Sequence, residues 1–167
     1  AMRTMIDGTR ALVVRLYAEG KLSGAIAVGG GQGTAIGAAA LQALPIGLYV
    51  VDRDLRIVAW NAERERGPFG RPAKDVLGRP LSDVLPAAGY EALLPRLRRI
   101  FEQGEVLDEV AESPQDGKIR AFRVRRRPVF QDGVVTHVLS LFEDISLEQE
   151  RERFLRTLDK AVQTMQL

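Results

Sequence analysis

Two long strand-like runs near the C-terminal end, at residues 118–130 and 134–143, constrain the fold more than any other feature. The short turn "QDG" between them predicts an antiparallel hairpin. Apolar residues of the second run occupy both sides of the strand, so both faces of the sheet are largely apolar. One side carries Val135, His137, Leu139 and Leu141, and the other carries Val134, Val138 and Phe142. Because an apolar face needs a cover, we expect a helix at 7–19, or its copy from a second chain, to lie on one face.

Further strands and helices accompany this hairpin. "LYVVD" and "RIVAWN" are short β-rich runs joined by the turn-like "DRDLR", and another run covers 105–112. Asn61 is placed to cap the next helical turn, with Glu63 near its N-terminus. Residues 67–86 are broken by Pro and Gly into short helical pieces, and an amphipathic helix follows over about 88–103.

A terminal helix is predicted to begin at Ser146, which forms a capping box with Gln149. Apolar residues then recur along this helix with coiled-coil spacing, at Leu155, Leu158, Val162 and Met165. We therefore expect a homodimer through the N-terminal and C-terminal helices. The short seam predicts that the helix continues toward an output domain outside this chain.

Composition excludes several classes of function. The 167 residues include no cysteine, so disulfides, cysteine-bound metals and covalent flavin-thiol chemistry are ruled out. The 24 basic and 22 acidic side chains leave a charge of +2, too balanced to predict a nucleic-acid partner. We find no segment suited to span a membrane and no signal peptide, which predicts a cytoplasmic protein. With one histidine and no nucleophile–base spacing, we expect no catalytic set, no enzyme activity and no metal site.

Three segments, in this order and spacing, carry a resemblance to a known family. They are "ALPIGLYVVDRDLRIVAWN", with Asp52 and Asn61, then "DVLGRPLSDVLP", then "RPVFQDGVVTHVLSLFEDIS". Residues 43–150 resemble a PAS domain, and the resemblance implies an α+β fold with a five-stranded antiparallel sheet and short helices on one face. We accordingly divide the chain into an N-terminal extension at 1–42, a PAS domain at 43–145 and a signalling helix at 146–167.

The resemblance also implies a small pocket between the sheet and the short helices. Arg126 shares a strand phase with Phe122 and Val124, so it is expected to point inward and to bind a carboxylate, unless a strand irregularity turns it outward. An anionic ligand, a non-covalent flavin and a pocket filled by its own side chains all stay open. The candidate ligand-binding residues are Trp60, Asn61, Phe122, Val124, Arg126 and Phe142.

Haem is not expected as the cofactor. It needs an axial ligand, and His137 is the only histidine. Members of the family that bind haem usually carry that ligand on the long helix, whereas His137 lies on a predicted strand.

Asp144, Ile145 and Ser146 match the Asp-Ile-Thr/Ser ending that precedes a signalling helix in this family. The Asp144 carboxylate is placed to bind backbone N–H groups or a nearby arginine where the strand meets the helix. We expect Asp144 and Ser146 to relay a distortion of the sheet to the helix, or to serve as a plain cap.

The first part of the chain has a different character. Residues 6–47 resemble a fragment of the tobamovirus-resistance-protein-like nucleotide-binding family, through a helix, a strand, a "GGGQGT" loop and a helix ending in "ALPIG". Glycine amides at a helix start bind anions, so the loop is a possible phosphate site or a flexible linker. No lysine follows it, so it is not a Walker loop. Its residues are Gly29, Gly30, Gly31, Gly33 and Thr34.

These observations predict a PAS sensor and dimerisation module of a larger signal-transduction protein. The alternative is a nucleotide-binding enzyme fragment at 6–47, joined at "ALPIG" to a PAS scaffold without a ligand. In the first interpretation the glycine-rich segment serves as an N-terminal cap on the PAS domain.

Overall fold

The computed structural model describes residues 7–8, 11–12, 14–16, 19, 44–115 and 117–165, with the backbone alone at 161–162 and 164–165. Residues 7–8, 11–12 and 14–16 are helical, in agreement with the helix predicted there, and Leu12 and Val14 are exposed. The glycine loop at 29–34 lies outside the described residues. Coverage of the sheet by the N-terminal helix stays a prediction.

The described chain forms a five-stranded antiparallel sheet with the order β2-β1-β5-β4-β3. The strands are β1 (Gly47–Asp52), β2 (Ile57–Trp60), β3 (Leu107–Gln115), β4 (Lys118–Gln131) and β5 (Val134–Asp144). The predicted hairpin is confirmed as β4 and β5, and it lies inside the sheet. Strand β3 begins later and extends further than the 105–112 run.

Helical segments connect β2 to β3 across one face of the sheet, which we call the inner face. They are α1 (Ala62–Arg66), α2 (Ala73–Val76), a 3-10 turn (Leu81–Asp83) and α3 (Ala87–Gln103). The predicted helix at 88–103 is thus confirmed as α3. Gly104 ends it in the left-handed region at φ 67° and donates its N–H to the Ile100 carbonyl at 2.9 Å.

Alternation along β5 separates two apolar cores. On the inner face, Val138 packs with Tyr49, Trp60 and the buried side of α3, including Leu97 and Ile100. On the opposite, outer face, the second core contains Leu44, Ile46, Leu48, Leu139 and Leu141. The predicted apolar character of both sheet faces is therefore confirmed.

Asn61 joins β1 to the start of α1. Its side chain is 1% exposed, and its Oδ1 accepts from the Leu48 N–H at 2.8 Å and from the Arg64 N–H at 2.9 Å. Its Nδ2 donates to the Ile46 carbonyl at 2.8 Å. The predicted helix cap is confirmed, and the same amide also satisfies backbone groups on both sides of Gly47.

The terminal helix α4 (Ser146–Met165) begins where predicted, but the predicted capping box is wrong. The Ser146 Oγ accepts a hydrogen bond from the Ala121 N–H of β4 at 3.0 Å, so this hydroxyl binds the sheet. The Asp144 carboxylate instead accepts from the Ser146 N–H at 2.9 Å. A contact between residues distant in sequence has replaced the local pattern.

We expect Asn61→Ala to lower the free energy of unfolding by about 3 kcal/mol, because buried N–H and C=O groups of Leu48, Arg64 and Ile46 would lose their partner. Denaturant unfolding measures this change. The matched control is Asp52→Ala, since Asp52 also accepts from two backbone N–H groups but in an exposed turn. A loss at Asn61 no larger than at Asp52 would contradict the assigned role.

Candidate functional site

A cavity of about 310 Å³ lies between the inner face of β3 and β4, helix α3 and the loop after α1. Most of its wall is apolar, and two arginines with buried side chains, Arg64 and Arg126, reach it. The apolar lining includes Tyr49, Phe69, Leu85, Leu93, Phe122, Val124 and Phe142. A concave apolar site with a few convergent polar groups is the usual form of a small-molecule site.

Arg64 is 3% exposed, although it lies in the polar segment "AERER". Its guanidinium carbon lies 4.6 Å from the Phe142 ring centroid, 4.8 Å from that of Trp60 and 5.8 Å from that of Tyr49. The guanidinium donates to the Pro68 carbonyl, which fixes the loop after α1. The rings stabilise the cation through their negative faces.

Arg64 forms no ion pair with a carboxylate in the described part of the chain, and its buried Nε lacks a hydrogen-bond acceptor there. Burial lowers the pKa of Arg64 to about 10, against a smaller opposing effect of Tyr49. The side chain therefore still carries its charge at neutral pH, in a site where a charge without a partner is costly.

Arg126 reaches the same cavity from β4 and is 6% exposed. The strand irregularity falls after it, at Val129 and Phe130, so the predicted inward orientation is confirmed. Its carboxylate partner is Glu109 of β3, and Glu109 also contacts Arg96 of α3 at 3.3 Å. The Arg126 Nε and the Ser113 Oγ are buried without a partner in the described chain.

A second cavity, of about 230 Å³, lies on the other side of Arg64. Arg64, Pro68, Phe122 and Phe142 line both cavities. The second cavity reaches the ion pair between Arg120 of β4 and Asp144, in which the N–O distance is 2.9 Å.

Asp144 is therefore bound to both a strand and the terminal helix. Burial raises the pKa of its carboxyl, but the hydrogen bonds from Ser146 and the pairing with Arg120 outweigh burial and lower the pKa below its ordinary value of 3.8. The Ile145 N–H donates to the Ala121 carbonyl at 2.9 Å, and Arg123 of β4 contacts Glu148 at 3.3 Å. These contacts hold the first turn of α4 against β4.

The structure brings together only part of the predicted ligand-binding set. Phe122, Val124, Arg126 and Phe142 line the larger cavity, whereas Trp60 and Asn61 line neither of the two. Trp60 is a core residue whose Nε1 donates to the Arg71 carbonyl at 3.0 Å. The sequence interpretation missed Arg64. The available signal is its spacing, since Arg64 follows Trp60 by one helical turn and shares its side of the chain.

His137 lies on β5 opposite Asp52, and its Nδ1 is 2.9 Å from the Thr136 Oγ. It lines neither of the two cavities. Among the described residues, no group of three or more His, Cys, Asp or Glu side chains is arranged to hold a metal ion. None of the described helices is long and apolar enough to cross a membrane.

The family model of the PAS fold matches residues 41–165, which is more than half of the chain. The chain therefore belongs to the PAS family, and its α+β fold with a five-stranded antiparallel sheet is the one that the sequence predicts. No curated protein matches the sequence.

Several solved structures share this fold. The PAS domain of BvgS from Bordetella pertussis has a TM-score of 0.58 at 23% identity, covering 72% of this chain and 91% of that domain. The PAS domain of the histidine kinase ThkA has a TM-score of 0.50 at 26% identity, covering 59% of this chain and 98% of that domain. The likeness to a histidine-kinase domain is consistent with a sensory module.

An RNA-binding light-oxygen-voltage receptor has a TM-score of 0.56 at 23% identity, and the match covers 86% of this chain. The same match covers 42% of that receptor, so this chain spans less than half of its length.

A different family model matches residues 1–49, that of the N-terminal domain of an uncharacterised protein family, UPF0261. The predicted resemblance of residues 6–47 to nucleotide-binding proteins is not supported. Gly29, Gly30, Gly31, Gly33 and Thr34 fall within this match and outside the described structure.

We expect Arg64→Met to leave the free energy of unfolding unchanged or to raise it. Burial lowers the pKa of Arg64 to about 10, which corresponds to a cost of about 3 kcal/mol, and its contacts with the rings and with Pro68 only partly offset this cost. Urea unfolding at neutral pH measures the change.

The matched control for this prediction is Arg126→Met. It removes a buried arginine that does have a carboxylate partner, so we expect a loss on the order of 2 kcal/mol. If Arg64→Met destabilises the domain as much as the control does, Arg64 is a structural residue and the prediction is wrong.

Proposed function

We propose that this chain is a sensory module, in which occupancy of the inner cavity shifts the terminal helix α4 through Asp144 and Ser146. The observation that carries the proposal is the wall between the two cavities. Phe122 and Phe142 line both, and Phe122 is paired with Asp144 in the β4–β5 ladder. A displacement of either ring therefore acts on backbone that also positions the start of α4.

The contacts at the junction are suited to transmit a small movement. Ser146 Oγ and the Ile145 N–H bind the backbone of Ala121, and Asp144 links Arg120 to the Ser146 N–H. A few hydrogen bonds of about 1 kcal/mol each fix the helix without making it immovable. Coupling free energies between two sites in a protein are typically about 1–3 kcal/mol, which is enough to shift the position of a helix held by such a junction.

A second connection runs from the rim of the cavity to α4. Glu112 of β3 lines the larger cavity, and its carboxylate lies 3.8 Å from the Arg153 guanidinium of α4. Both side chains are exposed, so this ion pair contributes little stability. It supports the proposal by placing a wall residue of the cavity against the second turn of the helix.

We also propose that the module has no catalytic role. The Ser113 hydroxyl has no hydrogen-bond partner in the described chain, so no base is placed to activate it as a nucleophile. The other charged groups at the cavity are arginines and the glutamates that pair with them. A sensor of this kind would need an output domain elsewhere in the protein or in a partner.

Helix α4 supports a homodimer as the working form of the module. Leu155 and Leu158 are 50% and 45% exposed, and the seam continues in sequence to Val162 and Met165. Phe154, on the adjacent side, is 63% exposed. A second copy of the same helix would bury this seam by knobs-into-holes packing.

A double-mutant cycle tests the relay without a ligand. We expect Asp144→Ala to raise amide hydrogen exchange in residues 146–150 roughly tenfold, because the first turn loses an N-terminal acceptor. We also expect Arg64→Met to change exchange in the same turn, and this second effect to vanish in the Asp144→Ala background. Additive effects of the two substitutions would contradict a relay through Asp144.

The control for this cycle is Asp108→Ala, which removes another carboxylate paired with an arginine, far from the junction in the β3–β4 ladder. A pH series adds a check. Since the pKa of Asp144 is lowered on folding, its contribution is present above about pH 4 and is lost as the pH falls through the lower folded value. The exchange difference between wild type and Asp144→Ala should then disappear in acid.

Sedimentation of Leu155→Glu and Leu158→Glu tests the dimer. We expect the unsubstituted chain to be dimeric at high micromolar concentration and both variants to be monomeric, because a charge in the seam would be buried without a partner. Thr157→Glu, outside the seam on the same exposed helix, is the matched control. A monomeric wild type, or variants that stay dimeric, would contradict the assignment of the seam.

A further inference from the structure

We propose that the larger cavity binds a small organic acid, with its carboxylate paired to Arg64 and its apolar body against the rings of Phe69 and Phe142. The proposal rests on the sensory function proposed above and names the chemical class of the input. Three independent properties of the cavity support it: its charge, its unpaired hydrogen-bonding groups and its size.

The charge of the wall favours an anion. Three arginines and two glutamates line the cavity, which leaves an excess of one positive charge. Glu109 is shared by Arg96 and Arg126, and Glu112 faces Arg153 of α4. Among the described residues no carboxylate is paired with Arg64, so the excess charge at the cavity is located there.

The unpaired polar atoms favour the same ligand. The Nε atoms of Arg64 and Arg126 and the Oγ of Ser113 lack hydrogen-bond partners in the described chain, and all three residues line this cavity. Guanidinium nitrogens only donate hydrogen bonds, and a hydroxyl also donates, so a group that only accepts can satisfy them. An ionised carboxylate is such a group, and its pairing with arginine is charge-assisted.

Size and polarity exclude a bare inorganic anion as the best fit. The cavity holds about 310 Å³, and a water molecule occupies about 30 Å³ of liquid, so a ligand of on the order of ten non-hydrogen atoms fills it. Phe142 is stacked on the buried ring of Tyr49, with centroids 5.5 Å apart, and Phe69, which is 52% exposed, also lines the cavity. An aromatic or aliphatic body would bury this surface, whereas phosphate would leave it wet.

The test compares carboxylates with their neutral amides on the whole chain. The probes are benzoate, phenylacetate and hexanoate, each beside its primary amide, together with inorganic phosphate. Trp60 is the single tryptophan and lies 4.8 Å from the Arg64 guanidinium, so its fluorescence reports on binding. We expect at least one acid to change this emission and to raise the melting temperature, at a concentration where its amide and phosphate do neither.

Variants assign the binding to Arg64. We expect Arg64→Met to weaken binding of that acid at least tenfold, and Arg64→Lys to recover part of the affinity because it keeps the charge. Arg99→Met, which removes an arginine paired with Glu105 outside both cavities, should bind as the wild type does. Each variant's melting curve shows whether it is folded, and the lysine variant keeps the test valid if the methionine variant is not.

Two results would overturn the proposal. One is that none of the acids binds, or that the amides bind as well as the acids. The other is that Arg64→Met and Arg64→Lys leave the affinity unchanged. The hydrogen-exchange cycle of Arg64→Met and Asp144→Ala, which needs no ligand, separates this inference from the sensory function. If the two substitutions are coupled but no acid binds, only the ligand class is refuted. If an acid binds but the two substitutions are not coupled, only the relay is refuted.

Discussion

The buried amide of Asn61 is the interaction on which the site depends. By binding the backbone on both sides of Gly47 and the Arg64 N–H, it fixes the phase of the short helix α1 against β1. Five residues are too few for a helix to hold its orientation alone. With the phase fixed, Arg64, the fifth residue of the "WNAER" segment, lies on the same side of the chain as Trp60, toward the core. The position of the Arg64 guanidinium is therefore a consequence of the three hydrogen bonds made by the Asn61 side chain.

The domain keeps a charge at Arg64, where we expect an apolar side chain to be at least as favourable for stability. Arg64 contacts three aromatic rings and one carbonyl, which together make its burial tolerable but do not neutralise it. Natural domains hold such groups mainly at functional sites, where the cost is linked to binding. Arg126, in contrast, is neutralised by Glu109 and adds rigidity to the wall. The two buried arginines differ in role because only one has a carboxylate beside it.

Alternation along the strands is enough to predict the β4–β5 hairpin, its two apolar faces and the inward orientation of Arg126, whereas the five-stranded sheet follows from the resemblance to the PAS family. It works because side chains of a paired strand repeat every second residue whatever surrounds them. The same reasoning does not find Arg64, since "AERER" has the composition of a solvated helix and its burial is decided by contacts with β1. Nor does it find Glu109 as the partner of Arg126, because that contact depends on how β3 and β4 are aligned. At Ser146 the local pattern indicates a cap, and a hydrogen bond to Ala121 overrides it.

Strand β5 lies between two cores, with Val138 and Phe142 on the inner side and Leu139 and Leu141 on the outer side. A rigid strand cannot move on one face alone. In the proposed sensor, a ligand that moves the backbone at Phe142 would therefore also shift Leu141, and with it the packing of Leu44 and Ile46 on the other side of the sheet. The proposed relay would thus have two mechanical outputs, one along the chain into α4 and one through the thickness of the sheet.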